Sequence, residues 1–188
     1  MQKLWSEKRN LLIFLVFYVN IIAFLLGFSL FSVATGKANI IINGIAVDSK
    51  GFVYVGYDRK INVYNNSELV KKISIPTSRG YGFTIDNDNI LLSTGDYTYL
   101  MNLDGTVLDK QLDSYENHVY SKYSFKNTVG DSFKVKSILF KTQIVKNNNI
   151  TVYQISKSDF MAKLFFEISC LSIVIVVPCL IKIFKHSK

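Results

Sequence analysis

The sequence predicts a membrane protein with two transmembrane helices flanking an all-β domain, and three observations carry that expectation. A long apolar run stands near each end of the chain. The polar, Asn- and Tyr-rich stretch between them alternates apolar and polar residues with period 2, the mark of half-buried strands. The alternating pattern also repeats: Gly82-Phe83-Thr84-Ile85-Asp86 restates Gly44-Ile45-Ala46-Val47-Asp48 at a spacing of 38 residues.

Residues 1–10 are polar and basic, and are expected to be a cytoplasmic tail. Residues 11–34 carry no charge and are long enough to span a hydrocarbon core of about 30 Å. A cleavable signal peptide is the alternative, because Ser32-Val33-Ala34 has the small residues of a cleavage site. The apolar run is longer than a usual signal core, which favours an uncleaved helix. Asn20 is its most polar member and a candidate contact to another helix.

Residues 35–159 form the expected β-domain, with repeat units at about 40–77, 78–116 and 117–155. The first unit reads as strand, turn at Ser49-Lys50-Gly51, strand, a break at Asp58-Arg59-Lys60, strand over 61–64, an Asn-Asn-Ser turn, and strand over 69–75. Four short strands in about 40 residues have the size of one propeller blade. In the second unit Leu91-Leu92 aligns with Val53-Tyr54, and Asp96 with Asp58. The third is more degenerate: alternation at Phe133 and Val135, then Ile144-Val145, an Asn147-Asn148-Asn149 turn and residues 150–153. A generic antiparallel meander would also alternate. The recurring pattern, Gly-apolar-x-apolar-Asp, turn, apolar-Tyr-apolar, resembles blades of the NHL-like and YncE-like bacterial β-propellers over residues 40–155. That resemblance implies a bacterial protein with two to three propeller-blade-like antiparallel meander repeats in its middle domain; the two apolar runs are what make the expected protein two-pass.

Residues 160–184 are the second expected span, and residues 185–188 a second cytoplasmic tail. The span is less clean. Its unbroken apolar part is Ile168 to Ile181, and Lys163 and Glu167 lie four apart on one helix face. Lys163 can snorkel and Glu167 can pair with it. A charge here is costly, so both are also candidate contacts to a partner helix. Ser158 or Asp159 is positioned to cap the helix. Pro178 loosens it near its end.

The whole chain carries a net charge of +8. Lys3, Lys8, Arg9, Lys182, Lys185 and Lys188 stand at or beyond the tail-side ends of the spans, against Lys37, Lys157 and Lys163 at their domain-side ends. The bias places both termini in the cytoplasm and the middle domain outside the plasma membrane. Within the domain charge is split. Residues 118–157 hold seven lysines and one acid, whereas residues 35–117 hold eight basic and ten acidic side chains. Lys122, Lys126, Lys134, Lys136, Lys141 and Lys146 are therefore candidate contacts to anionic lipid, an anionic wall polymer or an acidic partner. A solvated lysine face that discourages edge pairing is the plainer account.

Both cysteines, Cys170 and Cys179, lie in the second run, about 13 Å apart along a helix, too far to bridge. No nucleophile, metal or nucleotide motif appears, so the expected activity is non-enzymatic, with no cofactor or metal and no nucleic acid. Asp86-Asn87-Asp88-Asn89 starts like a calcium loop but lacks the Gly and Glu that follow in one, which favours a turn. Asn65-Asn66-Ser67 and Asn149-Ile150-Thr151 fit the glycosylation sequon, which an Asn-rich chain meets easily. The leading reading is membrane-anchored binding or scaffolding, as an accessory subunit of a membrane complex. A ligand sensor acting through a partner is the alternative, since the tails are too short to hold a signalling domain. A hydrolase would need Asp86, Asp88, Asp96 and His118 to converge. An incomplete propeller-like domain is expected to recruit a second copy or a protein partner, unless residues 118–157 fold back to close it.

Overall fold

A computed structural model describes the backbone of residues 2–77, 80–127, 129–138 and 140–185, with the side chains of residues 2–9, 12, 138 and 179–185 not described. Residues 186–188 of the expected C-terminal tail, including His186, lie outside the described residues, as do the side chains of Lys3, Lys8, Arg9, Cys179, Lys182 and Lys185. The chain divides into two units, one made of both ends and one of the middle.

Residues 11–34 contain no proline and a single glycine, Gly27, which a long helix tolerates, and α1 runs over Gln2–Ala34. It therefore begins before the apolar run: the expected tail continues the helix, because residues 2–10 contain neither Gly nor Pro. The second helix, α2, covers Lys157–Lys185 with Pro178 inside it. Both contain a 22-residue stretch long and apolar enough to cross a membrane, Ile13–Ala34 and Lys157–Pro178. The two pack antiparallel. The Ser29 hydroxyl donates to the Ala162 carbonyl at 2.8 Å, and the Tyr18 hydroxyl to Ser172 Oγ at 3.2 Å. Small residues line this seam: Ser29, Ala162, Ser169 and Ser172 are buried, while Phe14, Phe17, Phe24 and Phe31 are exposed. Asp159 lies within the first turn of α2, where its Oδ1 accepts the Asn39 N–H at 2.5 Å.

The middle unit is all β. Strands β1 (Ile45–Val47), β2 (Val53–Tyr57), β3 (Lys60–Asn65) and β4 (Glu68–Ser74) form one antiparallel sheet in chain order. Strands β5 (Gly82–Asp86), β6 (Asn89–Ser93), β7 (Tyr97–Asn102) and β8 (Val107–Leu112) form a second. Strands β9 (Ser124–Lys126), β10 (Ser132–Ile138), β11 (Lys141–Lys146) and β12 (Ile150–Gln154) form a third. Tight hairpins join them. Asn66-Ser67, Asn87-Asp88 and Asn147-Asn148 all take positive φ, the left-handed turn that suits the twist of paired strands and that Asn and Asp tolerate best. Each sheet also carries a β-bulge between its third and fourth strands, at Val63/Tyr64, Leu100/Met101 and Ile144/Val145.

The register corrects the sequence alignment by one residue. Ile45 pairs with Val55 and Phe83 with Leu92, so Leu92 stands where Val55 does and Asp96 where Arg59 does. The cause is the first turn. Five residues separate Val47 from its partner Val53, whereas four separate Ile85 from Ile90.

The first sheet lies between the other two. One of its faces, with Ala46, Tyr54, Ile61 and Val63, packs on Phe83, Ile90, Leu92 and Met101 of the second sheet. Its opposite face, with Ile45, Val47, Val55 and Tyr57, packs on Phe133, Ile144 and Tyr153 of the third. Every residue of β2 is consequently buried, whereas β7 alternates and β8 is exposed throughout.

Candidate functional surfaces

The three sheets meet where their first strands begin. The Tyr81 carbonyl, just before β5, accepts from Asn43 Nδ2 at 2.5 Å and from the Ser121 hydroxyl at 3.1 Å. Asn43 precedes β1 and Ser121 precedes β9, so one backbone oxygen ties the three entries together. The Ile45 N–H also donates to the Lys122 carbonyl at 2.8 Å. The two glycines of the repeat signature belong to this junction. A Cβ on Gly82 would stand 1.9 Å from the Val119 carbonyl oxygen, and Gly44, at φ +123°, faces Ser121 and Lys122.

Of the six candidate lysines, four share one surface. Cross-strand partners point to the same side of a sheet. Lys126 opposes Ser132, Lys134 opposes Ser124 and Val145, Lys136 opposes Gln143, and Lys141 opposes Ile138. Alternation puts all four on the side of the third sheet turned away from the first, because Phe133 and Ile144 occupy the other side. Among the described residues no acidic side chain stands on that side. Lys146 points the opposite way: it pairs with Asp131 at 2.5 Å and lies over the Phe133 ring. Hydrogen bonds from Lys146 and Asn147 hold the Asp131 carboxyl below its usual range. Lys122 lies before β9, exposed, outside the shared face.

In the helical unit, Lys163 Nζ lies 3.8 Å from Glu167 Oε1, one turn apart, with the lysine 12% and the glutamate 36% exposed. Asn20 does not face α2: it is exposed, and its Nδ2 donates to the Val16 carbonyl at 2.7 Å within its own helix.

Asp86, Asp88, Asp96 and His118 do not converge. Asp86 and Asp88 sit at the β5–β6 tip, where Asp88 accepts from the Ser49 N–H and hydroxyl. Asp96 lies in the next turn, at the other end of β6, a strand whose five residues span about 17 Å. His118 instead meets Asp113: Nδ1 stands 2.6 Å from Oδ2, and the Asp113 side chain is only 5% exposed. Asp113 Oδ1 accepts from Thr98 Oγ1 at 2.8 Å, Thr98 meets Ser93 Oγ at 2.9 Å, and Ser93 Oγ accepts the Val119 N–H. Burial pushes the Asp113 carboxyl up, but the hydrogen bonds from His118 and Thr98 outweigh it and hold the carboxyl low. The chain runs Ser–Thr–Asp–His, with the carboxylate rather than the imidazole nearest the hydroxyls. It fastens residues 113–119 to β6 and β7, and it lacks the order of a nucleophile–base–carboxylate triad. The Asp86-Asn87-Asp88-Asn89 stretch is a plain hairpin, and among the described residues no group of three acidic, His or Cys side chains is placed to hold a metal.

A buried tyrosine cluster joins the first and third sheets, and sequence reasoning missed it. The Tyr57 and Tyr153 hydroxyls meet at 2.5 Å, the Tyr64 ring stands edge-on to Tyr153, and Asn62 Nδ2 donates to Tyr64 Oη at 3.1 Å. Burial first, then the neighbouring phenols, pushes the Tyr57 hydroxyl far above its ordinary value. Period-2 alternation marks these tyrosines as inward-facing, but nothing in the sequence pairs residues 57 and 153.

A family model described as a β-propeller repeat matches residues 26–56, which include the end of α1 and the first hairpin. No curated protein matches the chain. Among solved structures, a protein of unknown function from Bacteroides caccae is 16% identical, with a TM-score of 0.32 over 61% of this chain and 45% of that one. BamB from Moraxella catarrhalis is 10% identical, with a TM-score of 0.34 over 62% and 36%. The chain spans less than half the length of either protein.

Proposed function

We propose that this is a non-enzymatic, membrane-anchored binding or scaffolding protein. In this reading α1 and α2 cross the plasma membrane, both termini are cytoplasmic, and a propeller-like β-domain stands on the outer face. There it serves as an accessory subunit of a membrane complex. The observation that carries the reading is the inverted polarity of the helix pair. Serines fill its seam while Phe14, Phe17, Phe24, Leu171 and Val174 face outward. Water penalises so large an exposed apolar surface, whereas lipid accepts it; small polar residues at a helix seam are the usual solution inside a bilayer. The excess of lysine and arginine at the tail-side ends of the spans supports the orientation. Three sheets with long exposed surfaces, held by structural rather than catalytic networks, support binding over catalysis.

The topology is tested by single cysteines at Ser49 and Ser187 in a chain whose Cys170 and Cys179 are replaced by serine. An impermeant thiol reagent applied to intact cells should label position 49 alone. Labelling of position 187 but not 49 would reverse the orientation. Purification in mild detergent should also retain a stoichiometric membrane protein partner, and its absence would remove the accessory-subunit role.

A further inference from the structure

The third sheet carries a positive face without a counterpart among the described residues of the other two sheets. Lys126, Lys134, Lys136 and Lys141 extend from three adjacent strands on its outward side, interspersed with Ser124, Ser132, Gln143 and Gln154. Lys126, Lys134 and Lys141 are exposed, and Lys136 reaches the Asn148 carbonyl at 3.2 Å. Val145, at the centre of this face, is buried. The one acid of residues 118–157, Asp131, is already neutralised by Lys146. Residues 35–117 carry a slight negative excess, so the domain's net positive charge falls within residues 118–157.

That sheet is also the one fastened most tightly to a helix. Only Ile155 and Ser156 separate β12 from α2, at most about 11 Å of extended chain. Resting on the membrane-anchored reading above, we infer that the lysine face of the third sheet docks on anionic phospholipid headgroups and fixes the orientation of the β-domain on the bilayer. A tether this short lets the face come down on the headgroups, where the surface potential, which fades over about 8 Å at physiological ionic strength, attracts its lysines. Charge complementarity then selects the face that turns toward the lipid. A soluble anionic wall polymer would meet the same lysines but would gain nothing from the short tether.

The test uses the full-length chain in lipid nanodiscs, either wholly phosphatidylcholine or containing phosphatidylglycerol. An impermeant amine-reactive ester is applied and each lysine is read by mass spectrometry. In the anionic discs Lys126, Lys134, Lys136 and Lys141 should be modified about three-fold less than in the neutral ones, and high salt should abolish the difference. Lys50, in the β1–β2 turn, and Lys72, on β4, should react equally in both. Equal modification of the four lysines in both discs would overturn the inference. So would protection in neutral discs by added soluble polyphosphate without protection in anionic discs, which would assign the face to a polymer. Failure of the chain to enter discs would overturn the anchoring reading and this one with it, whereas entry without protection overturns this one alone.

Discussion

Asp48 closes the first hairpin with three hydrogen bonds. Its Oδ1 accepts the Lys50 and Phe52 N–H groups at 3.0 and 2.8 Å, and its Oδ2 accepts the Tyr54 hydroxyl at 3.3 Å. The residue is buried. Asp48→Ala strands two backbone donors, and chemical denaturation should show a loss of about 1–3 kcal/mol. Tyr81 works similarly across the first two sheets: its hydroxyl donates to the Lys60 carbonyl at 2.6 Å and accepts the Tyr57 N–H at 3.1 Å. The tyrosines also set an alkaline limit. Burial raises the Tyr54, Tyr57 and Tyr81 hydroxyls above the ordinary 10.0, so the folded state holds protons that the unfolded chain releases. Their contribution is complete below that value and declines as pH rises past it. Tyrosinate absorbance should therefore grow in two stages, with the buried phenols ionising only as the fold is lost, and Tyr57→Phe should move that second stage to higher pH. Smooth titration of all tyrosines with the fold intact would refute the burial argument. Asp48 was legible as the last letter of the repeat signature. The Tyr57–Tyr153 contact was not, because its partners are 96 residues apart and belong to different repeats.

At the scale of the element, most strands were legible because Asn-rich turns and period-2 alternation are local signals. The register was not. It depends on whether a turn takes four or five residues, and two similar hairpins differ there by one. The central place of the first sheet was hidden for a related reason. Burial of β2 on both faces weakens the alternation that distinguishes inside from outside, and Val53-Tyr54-Val55-Gly56-Tyr57 reads much like a one-sided strand. The glycines of the signature gave the clue to packing rather than to turning. Gly82 admits the backbone of Val119, which no side chain can do without moving that segment. Gly82→Ala should lower the melting temperature of the β-domain by several degrees or prevent folding, whereas Gly80→Ala, with open space around its Cβ, should leave it unchanged. Equal behaviour of the two variants would mean that residues 119–122 yield freely, and the three-way junction at Tyr81 would lose its structural weight.

For the whole molecule, the question posed by three blade-like sheets is what ends the set. A closed propeller needs at least four blades as a rule, and the apolar faces between blades are what drive closure. Here the first sheet has both faces covered, and the surplus surface falls on the outward faces of the second and third sheets. Those faces are not open versions of an apolar seam. The second sheet presents Thr84, Thr98, Asp109 and Gln111 beside a half-buried Leu91 and Leu100. The third presents the four lysines. This is the arrangement of repeat arrays whose terminal units carry polar outer surfaces for solubility. The exposed β8 edge, with Val107, Leu108 and Leu112 uncovered, is the part of the domain best suited to receive another chain. Two outcomes separate self-completion from partner binding. Full-length protein separated from any co-purifying partner should sediment in detergent with a single copy of the chain over a wide concentration range, since like-charged lysine faces repel and the polar outer faces give a second copy little apolar area to bury. Lys110→Pro, in the middle of β8, should leave that mass unchanged while reducing recovery of any co-purifying protein, because proline removes an edge donor. A concentration-dependent dimer abolished by the same substitution would instead show that the edge pairs with its own copy, and would place the completing strands in the homo-oligomer.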